Sequence, residues 1–156
     1  MTRLIGTRAR RAAAALGLAG LIAVLPPPSL LRAADPVEAR QRLMVSVVRA
    51  TRIPREMAQG KTEIDAAAVR AAMLPVIEAA AVLPGLFPDS SSGMKSGALP
   101  AVWREPEAFR AGFTALEQAA VQLVFAAEQG GDAFAFAFDA YAATCDSCHA
   151  RYRAAE

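Results

Sequence analysis

Five consecutive residues near the C-terminus, Cys145-Asp146-Ser147-Cys148-His149, hold both cysteines and the one histidine of the chain. Two cysteines separated by two residues, with histidine directly after the second, form the attachment signature of a c-type haem. On a helix such sulfurs stand about one turn apart. Each can then add to one vinyl group of the same porphyrin, and the adjoining imidazole reaches the iron from the same side. A thioredoxin-like motif instead opens a helix after a strand, where the helix N-terminus favours a thiolate. Zinc usually takes three or four protein ligands, and a single His beside two Cys does not make a conventional site of that kind; two cysteines are also too few for a disulfide scaffold. The spacing therefore predicts one covalently attached haem c, with Cys145 and Cys148 as thioether positions and His149 as an iron ligand.

With no second histidine, bis-histidine ligation is excluded. The sixth iron position is open, or it takes a methionine or, less simply, Lys61 or Lys95. The methionines of the chain beyond its first residue are Met44, Met57, Met73 and Met94. Val37, Arg40, Met44, Val47, Val48 and Thr51 fall on one helical face. Burying an unpaired charge on such a face is expensive. Arg40 belongs there if it pairs with a haem propionate while Met44 points at the iron. The spacing equally allows Met44 to fill a gap in the core and Arg40 to snorkel to water. Arg153 likewise either orients the haem or a propionate on the proximal side, or is a surface arginine where a helix C-terminus favours positive charge. No acid–base pair or nucleophile–histidine arrangement is present, so an enzyme in the usual sense is not expected.

The elements that must position these residues read as four helices. Asp35 caps the first, with Pro36 at its first position and Glu38 three residues after the cap; it ends near Gln59, with Gly60 suited to the left-handed terminal conformation. Pro54 is expected to kink it. The second starts around Asp65 and runs to about Leu83, with a kink at Pro75 and a stop at Pro84-Gly85. Residues 84–104 form a loop long enough to be expected to wrap something. The third helix opens at Glu105-Pro106 and ends before Gly130-Gly131, and Asp132 caps the fourth. The alternating Ala133 to Phe138 stretch resembles a strand, but Phe134, Phe138, Tyr141, Cys145, Cys148 and Tyr152 share one helical face. Phe109, Phe113, Leu116, Ala120, Leu123 and Ala127 repeat that spacing on the third helix. The predicted fold is all-α, an antiparallel four-helix bundle with the haem near the C-terminal helix.

The N-terminal segment has another character. Of 17 basic residues, five lie among the first 34, which hold no acid, so the formal charge of +2 becomes −3 from Asp35 onward. A basic start, the apolar run from Ala12 to Leu25, three prolines and Ala33-Ala34 follow the order of a secretory signal peptide. That run falls short of the ~20 residues of a spanning helix. The expected organisation is a signal peptide over 1–34 and a mature domain over 35–156, exported to the periplasm and without a membrane span after cleavage. No Lys/Arg cluster follows residue 55, so nucleic acid is not an expected partner.

The mature chain resembles the class II c-type cytochromes, which comprise the cytochromes c-prime and the low-spin cytochromes c-556. The Cys-X-X-Cys-His motif followed by two residues and Tyr-Arg matches Cys145 to Arg153. Leu86 to Gly93 and Ala98 to Phe109 look like the family's long loop and the start of its third helix, and Arg40 with Gly60 keeps the family spacing. The resemblance makes Met44, four residues after Arg40, the distal residue. High-spin members carry there an apolar or aromatic residue that leaves iron open to nitric oxide or carbon monoxide; low-spin members carry a methionine ligand, in a context that Gln41-Arg42-Leu43-Met44 resembles. Pro54 and Pro75 depart from the usual pattern.

The resemblance thus implies a His/Met-ligated, one-electron carrier that docks briefly with redox partner proteins. Its rivals are a five-coordinate gas-binding protein and a haem-free helical binding protein of the periplasm. It also allows a homodimer through the first two helices.

Overall fold

The structure, a computed structural model, describes residues 35–155. The expected signal peptide lies outside them. Among the described residues there are helices and no strand, in the order α1 (Pro36–Ala58), α2 (Ala66–Val82), a one-turn α3 (Ala101–Arg104), α4 (Pro106–Gln129) and α5 (Gly131–Tyr152). The four long helices form the bundle the periodicity predicts. Local chemistry sets their starts. The Asp35 carboxylate accepts from Val37 N and that of Asp65 from Ala67 N and Ala68 N, meeting donors that the first helical turn leaves unpaired, while Pro106 opens α4 at a position whose missing N–H would be unpaired anyway.

One helix start differs from expectation. Asp132 does not cap α5; the helix begins at Gly131 after Gly130, with φ of 50° and 68°. A turn with two successive left-handed residues suits glycine, and it brings the chain into the helix before Asp132, which lies in the first turn and favours the dipole there. Pro54 and Pro75 lie inside helices that continue past them.

The helices succeed one another around the bundle as α1, α2, α4 and α5. Val69, Met73, Val76, Leu83, Ala120, Leu123 and Phe134 are completely excluded from solvent. Ala72, Ala79, Ala80 and Ala127 are also buried, and their small side chains let the α2 and α4 backbones approach. Residues Ala66–Leu86 are long and apolar enough to span a membrane by length and composition; Val69, Met73, Val76 and Leu83 of that stretch are buried in the bundle core, while Leu74 and Val82 are exposed. Phe109, Phe113, Leu116, Ala120, Leu123 and Ala127 are all buried, as their spacing predicts, and so are Phe134, Phe138, Tyr141 and Tyr152 on α5. Val48 departs from the face expected for α1: it is 65% exposed, while Val37, Arg40, Val47 and Thr51 turn inward.

The fourth seam of the bundle, between α1 and α5, touches at few places, and polar groups fasten it. The long segment after α2 contains short helical turns at Leu83–Leu86 and Asp89–Ser91 before α3. It does wrap something: the side chain of Arg40. It then runs on to the end of α5, where Leu99 N donates to Tyr152 O (2.9 Å) and Ala154 N to Gly97 O (2.8 Å).

Candidate functional site

α5 carries Cys145, Cys148 and His149 in its last two turns, all half-buried. Both thiols are free. Cys145 Sγ lies 3.9 Å from Tyr141 O. Cys148 borders a groove of about 210 Å³ between α4 and α5, also lined by Ala108, Gly112, Ala115, Thr144 and Ser147. A β-carbon placed on Gly112 would meet Cys148 Sγ at 3.8 Å. α4 thus offers only small side chains beside this sulfur.

Burial raises the pKa of both thiols; for Cys145 a bond from Thr144 opposes that rise, and for Cys148 the neighbouring Cys145 adds to it. A dithiol redox centre needs the reverse, a thiolate stabilised by positive charge or a helix N-terminus. Here the pair sits in the C-terminal half of α5, where the helix dipole opposes negative charge. Two neutral, partly sheltered thiols with small neighbours fit thioether attachment of a porphyrin. Burial lowers the pKa of His149, and the charge of Arg153 lowers it further against the opposing pull of Asp146. The imidazole is therefore neutral at pH 7, the form that can bind iron.

The opposite wall is α1. The loop holds both the Arg40 turn of α1 and the Tyr152 end of α5, so the two helices run antiparallel. They also meet directly at Thr51 Oγ1 and Tyr141 Oη, 2.7 Å apart and buried. Seven residues from that contact toward the loop on each helix, about 10 Å by the helical rise, lead to Met44 on α1 and Cys148 on α5. Met44 therefore stands level with Cys148 and His149. It is half-buried, although Arg40 and Val47 on the same stripe are buried. Sequence spacing places Met44 on this face; the height relative to His149 comes from the tertiary contact.

Arg40 is 4% exposed, which excludes a snorkelling side chain. Its Nη1 donates to Leu86 O and Ser91 Oγ, both at 3.2 Å, and its Nη2 to Ser96 Oγ at 2.8 Å. The guanidinium carbon lies 4.4 Å from the centre of the Phe87 ring. Burial lowers its pKa, and Asp35 opposes that shift. Neutral oxygens and a ring face thus hold the cation among the described residues, with N–H groups left over for a further acceptor. Arg153 caps α5 through its backbone, N to His149 O at 3.0 Å, and bridges to Ala98. Its neighbour Arg151 forms an ion pair with Glu105 at 2.6 Å. Met44, Cys145 and Cys148 thus pack against one core, His149 follows Cys148 on α5, and Arg40 and Arg153 lie toward the loop end of these helices.

Residues 35–153 match the family model described as Cytochrome C'. The cytochrome c' of Rhodospirillum rubrum is 36% identical over 74 residues, 46% of this chain and 50% of that protein, so the chain spans half the length of this relative. The structure of cytochrome c' from Rhodopseudomonas palustris superposes with a TM-score of 0.71 at 26% identity, over 80% of this chain and 99% of that one. A nitric oxide complex of a mutant of cytochrome c prime from Alcaligenes xylosoxidans gives 0.68 at 25% identity, over 78% and 98%. The chain belongs to the cytochrome c' family, the class II c-type cytochromes. Proteins of this family carry one covalently attached haem c, and the chain has the two cysteines for it.

Proposed function

We propose that this chain is a periplasmic cytochrome of the c-prime type, in which Cys145 and Cys148 form the thioethers, His149 binds the iron, and α1 around Met44 covers a sixth position open to a small diatomic ligand. Family membership supports this reading, together with the similarity to a cytochrome c prime solved with nitric oxide. The structural observation that carries it is the loosely touching α1–α5 seam at the level of His149. The haem supplies an iron that alternates between ferric and ferrous and, where a position is open, takes nitric oxide or carbon monoxide. The chain supplies the rest. His149, kept neutral, gives one ligand; Phe138, Tyr141 and Val47 keep water from the seam; and the spare N–H groups of Arg40 offer a site for a propionate. Arg153 adds positive charge beside His149. The order of residues 1–34 supports export.

A second reading has its own observation. Met44 shares the level of His149, and a thioether opposite histidine would make a low-spin centre with a raised reduction potential, suited to electron transfer. Unidentified redox proteins would be its partners, met in brief, charge-steered encounters. Both readings permit a homodimer through the outward sides of α1 and α2, where Val45, Val48, Leu74 and Val82 are exposed; monomeric sedimentation at micromolar concentration would count against it.

The ferric optical spectrum of the haem-loaded protein at neutral pH decides between the readings. A high-spin spectrum without a sulfur-to-iron charge-transfer band supports the open position. A low-spin spectrum with that band, abolished in Met44→Ala, overturns it in favour of the electron carrier.

A further inference from the structure

The α1–α5 seam is closed at two places that lie on either side of Met44. The first is the direct clasp. Thr51 has one hydroxyl proton, and it goes to Val47 O at 2.8 Å. Tyr141 therefore donates to Thr51 Oγ1, across 2.7 Å and in a site from which water is excluded. Thr51 is the one buried hydroxyl on α1, since Ser46 is exposed. The second is indirect. Ser91 and Ser96 hold Arg40, one helical turn before Met44, and the same loop backbone is bonded to Ala154 at Gly97 and to Tyr152 at Leu99, one and three residues after Ser96. Ser91 is itself fully buried and fixed by donating to Pro88 O at 2.8 Å. Between the clasps, α1 and α5 present half-buried Leu43, Met44, Cys145 and Cys148.

We propose that these two clasps set the spacing of α1 from α5 at the level of His149, and that Thr51, Tyr141, Ser91 and Ser96 are positioning residues for ligand access to the sixth iron position. None of them needs to touch a bound ligand. Each acts by fixing the helix that carries Met44, which screens the position under the first reading and fills it under the second. Releasing a clasp draws Met44 back in both cases, so affinity for a diatomic ligand must rise. The inference rests on the haem-binding reading of the site, and it holds for either occupant of the sixth position.

The test is carbon monoxide binding by the ferrous, haem-loaded full chain, read optically for the parent, Thr51→Val, Thr51→Ser and Ser96→Ala. Covalent haem in each sample is checked first by a haem-stained denaturing gel. Thr51→Val keeps the shape but loses the hydroxyl, and the affinity is expected to rise about fivefold, the factor that one buried hydrogen bond represents. Thr51→Ser keeps the hydroxyl and should restore the parental value, an outcome that a general loosening of the bundle would not produce. Ser96→Ala releases Arg40 from the half-buried loop position and should shift affinity in the same direction; it also decides the matter if Thr51→Val does not fold. Parental affinity in both Thr51→Val and Ser96→Ala, with haem attached, overturns the inference. Absence of covalent haem from the parent overturns the haem-binding reading itself.

Discussion

The two long seams that run beside α2 and α5 are built on opposite principles. Between α2 and α4, Val69, Met73, Val76, Ala120 and Leu123 are fully excluded from water, and the seam depends on apolar area and close packing. Between α1 and α5 the fastenings are a Tyr–Thr hydrogen bond and an arginine gripped by a loop, with half-buried side chains between them. Apolar packing is costly to disturb and offers no opening. A seam held by a few polar bonds can part locally at modest cost, because a single intramolecular hydrogen bond contributes only about 1 kcal/mol net. Apolar burial is concentrated on one side of the bundle, and the proposed ligand site lies on the other.

The most drastic way to probe that division is to remove the attachment sulfurs. In Cys145→Ser/Cys148→Ser, produced with the haem-attachment machinery present, the haem-stained band on a denaturing gel should vanish entirely. A persisting band would place the attachment elsewhere. The next largest effect belongs to the apolar seam. Leu123→Ala should lower unfolding stability by about 3–4 kcal/mol in urea titration, as for other fully buried leucines, while ligand affinity of the haem-loaded protein stays near parental. A loss below about 1 kcal/mol would show that this seam is looser than its burial implies.

The polar seam should respond less and in a pH-dependent way. Tyr141→Phe is expected to cost about 1–2 kcal/mol at neutral pH. Burial pushes the Tyr141 hydroxyl up from 10.0 to about 12. Because the unfolded chain gives up that proton first, the contribution is intact below pH 10 and is lost as pH climbs toward 12. The alkaline decline of stability should therefore be shallower in Tyr141→Phe than in the parent, and parallel curves would contradict the assignment. The smallest effect is at the rim. Arg70 and Glu128 pair at 2.7 Å with both side chains more than half exposed, so Arg70→Ala should change stability by less than about 0.5 kcal/mol.

The bundle was legible in the sequence because its signals are local. Asp35 and Asp65 sit where helix starts need acceptors, and the three-and-four spacing of apolar residues on α4 and α5 reports one buried face each. Val48 adjoins the inward Val47, and periodicity alone does not fix the edge of an apolar stripe, so its exposure is not legible from spacing. Asp132 has the chemistry of a cap, but the paired left-handed glycines before it start the helix instead. The attachment motif is likewise a short-range pattern. The partners of Arg40 are not, for Ser91 and Ser96 lie 51 and 56 residues away, and hydrogen bonds between such distant residues leave no periodic trace. The Thr51–Tyr141 clasp has a faint signal, since a buried tyrosine needs a partner for its hydroxyl and Thr51 supplies the inward hydroxyl of α1. Register between α1 and α5, and with it the height of Met44 relative to His149, required the fold.

In the proposed function this seam holds a haem iron whose distal side opens to a small ligand. Carbon monoxide added to the reduced, haem-loaded protein at neutral pH, and followed optically beside Met44→Ala, tests that opening directly. Saturable binding by the parent and tighter binding by the variant are expected. No spectral change in the parent at saturating carbon monoxide, with binding gained in Met44→Ala, would contradict the open position and identify Met44 as the resident sixth ligand of an electron carrier.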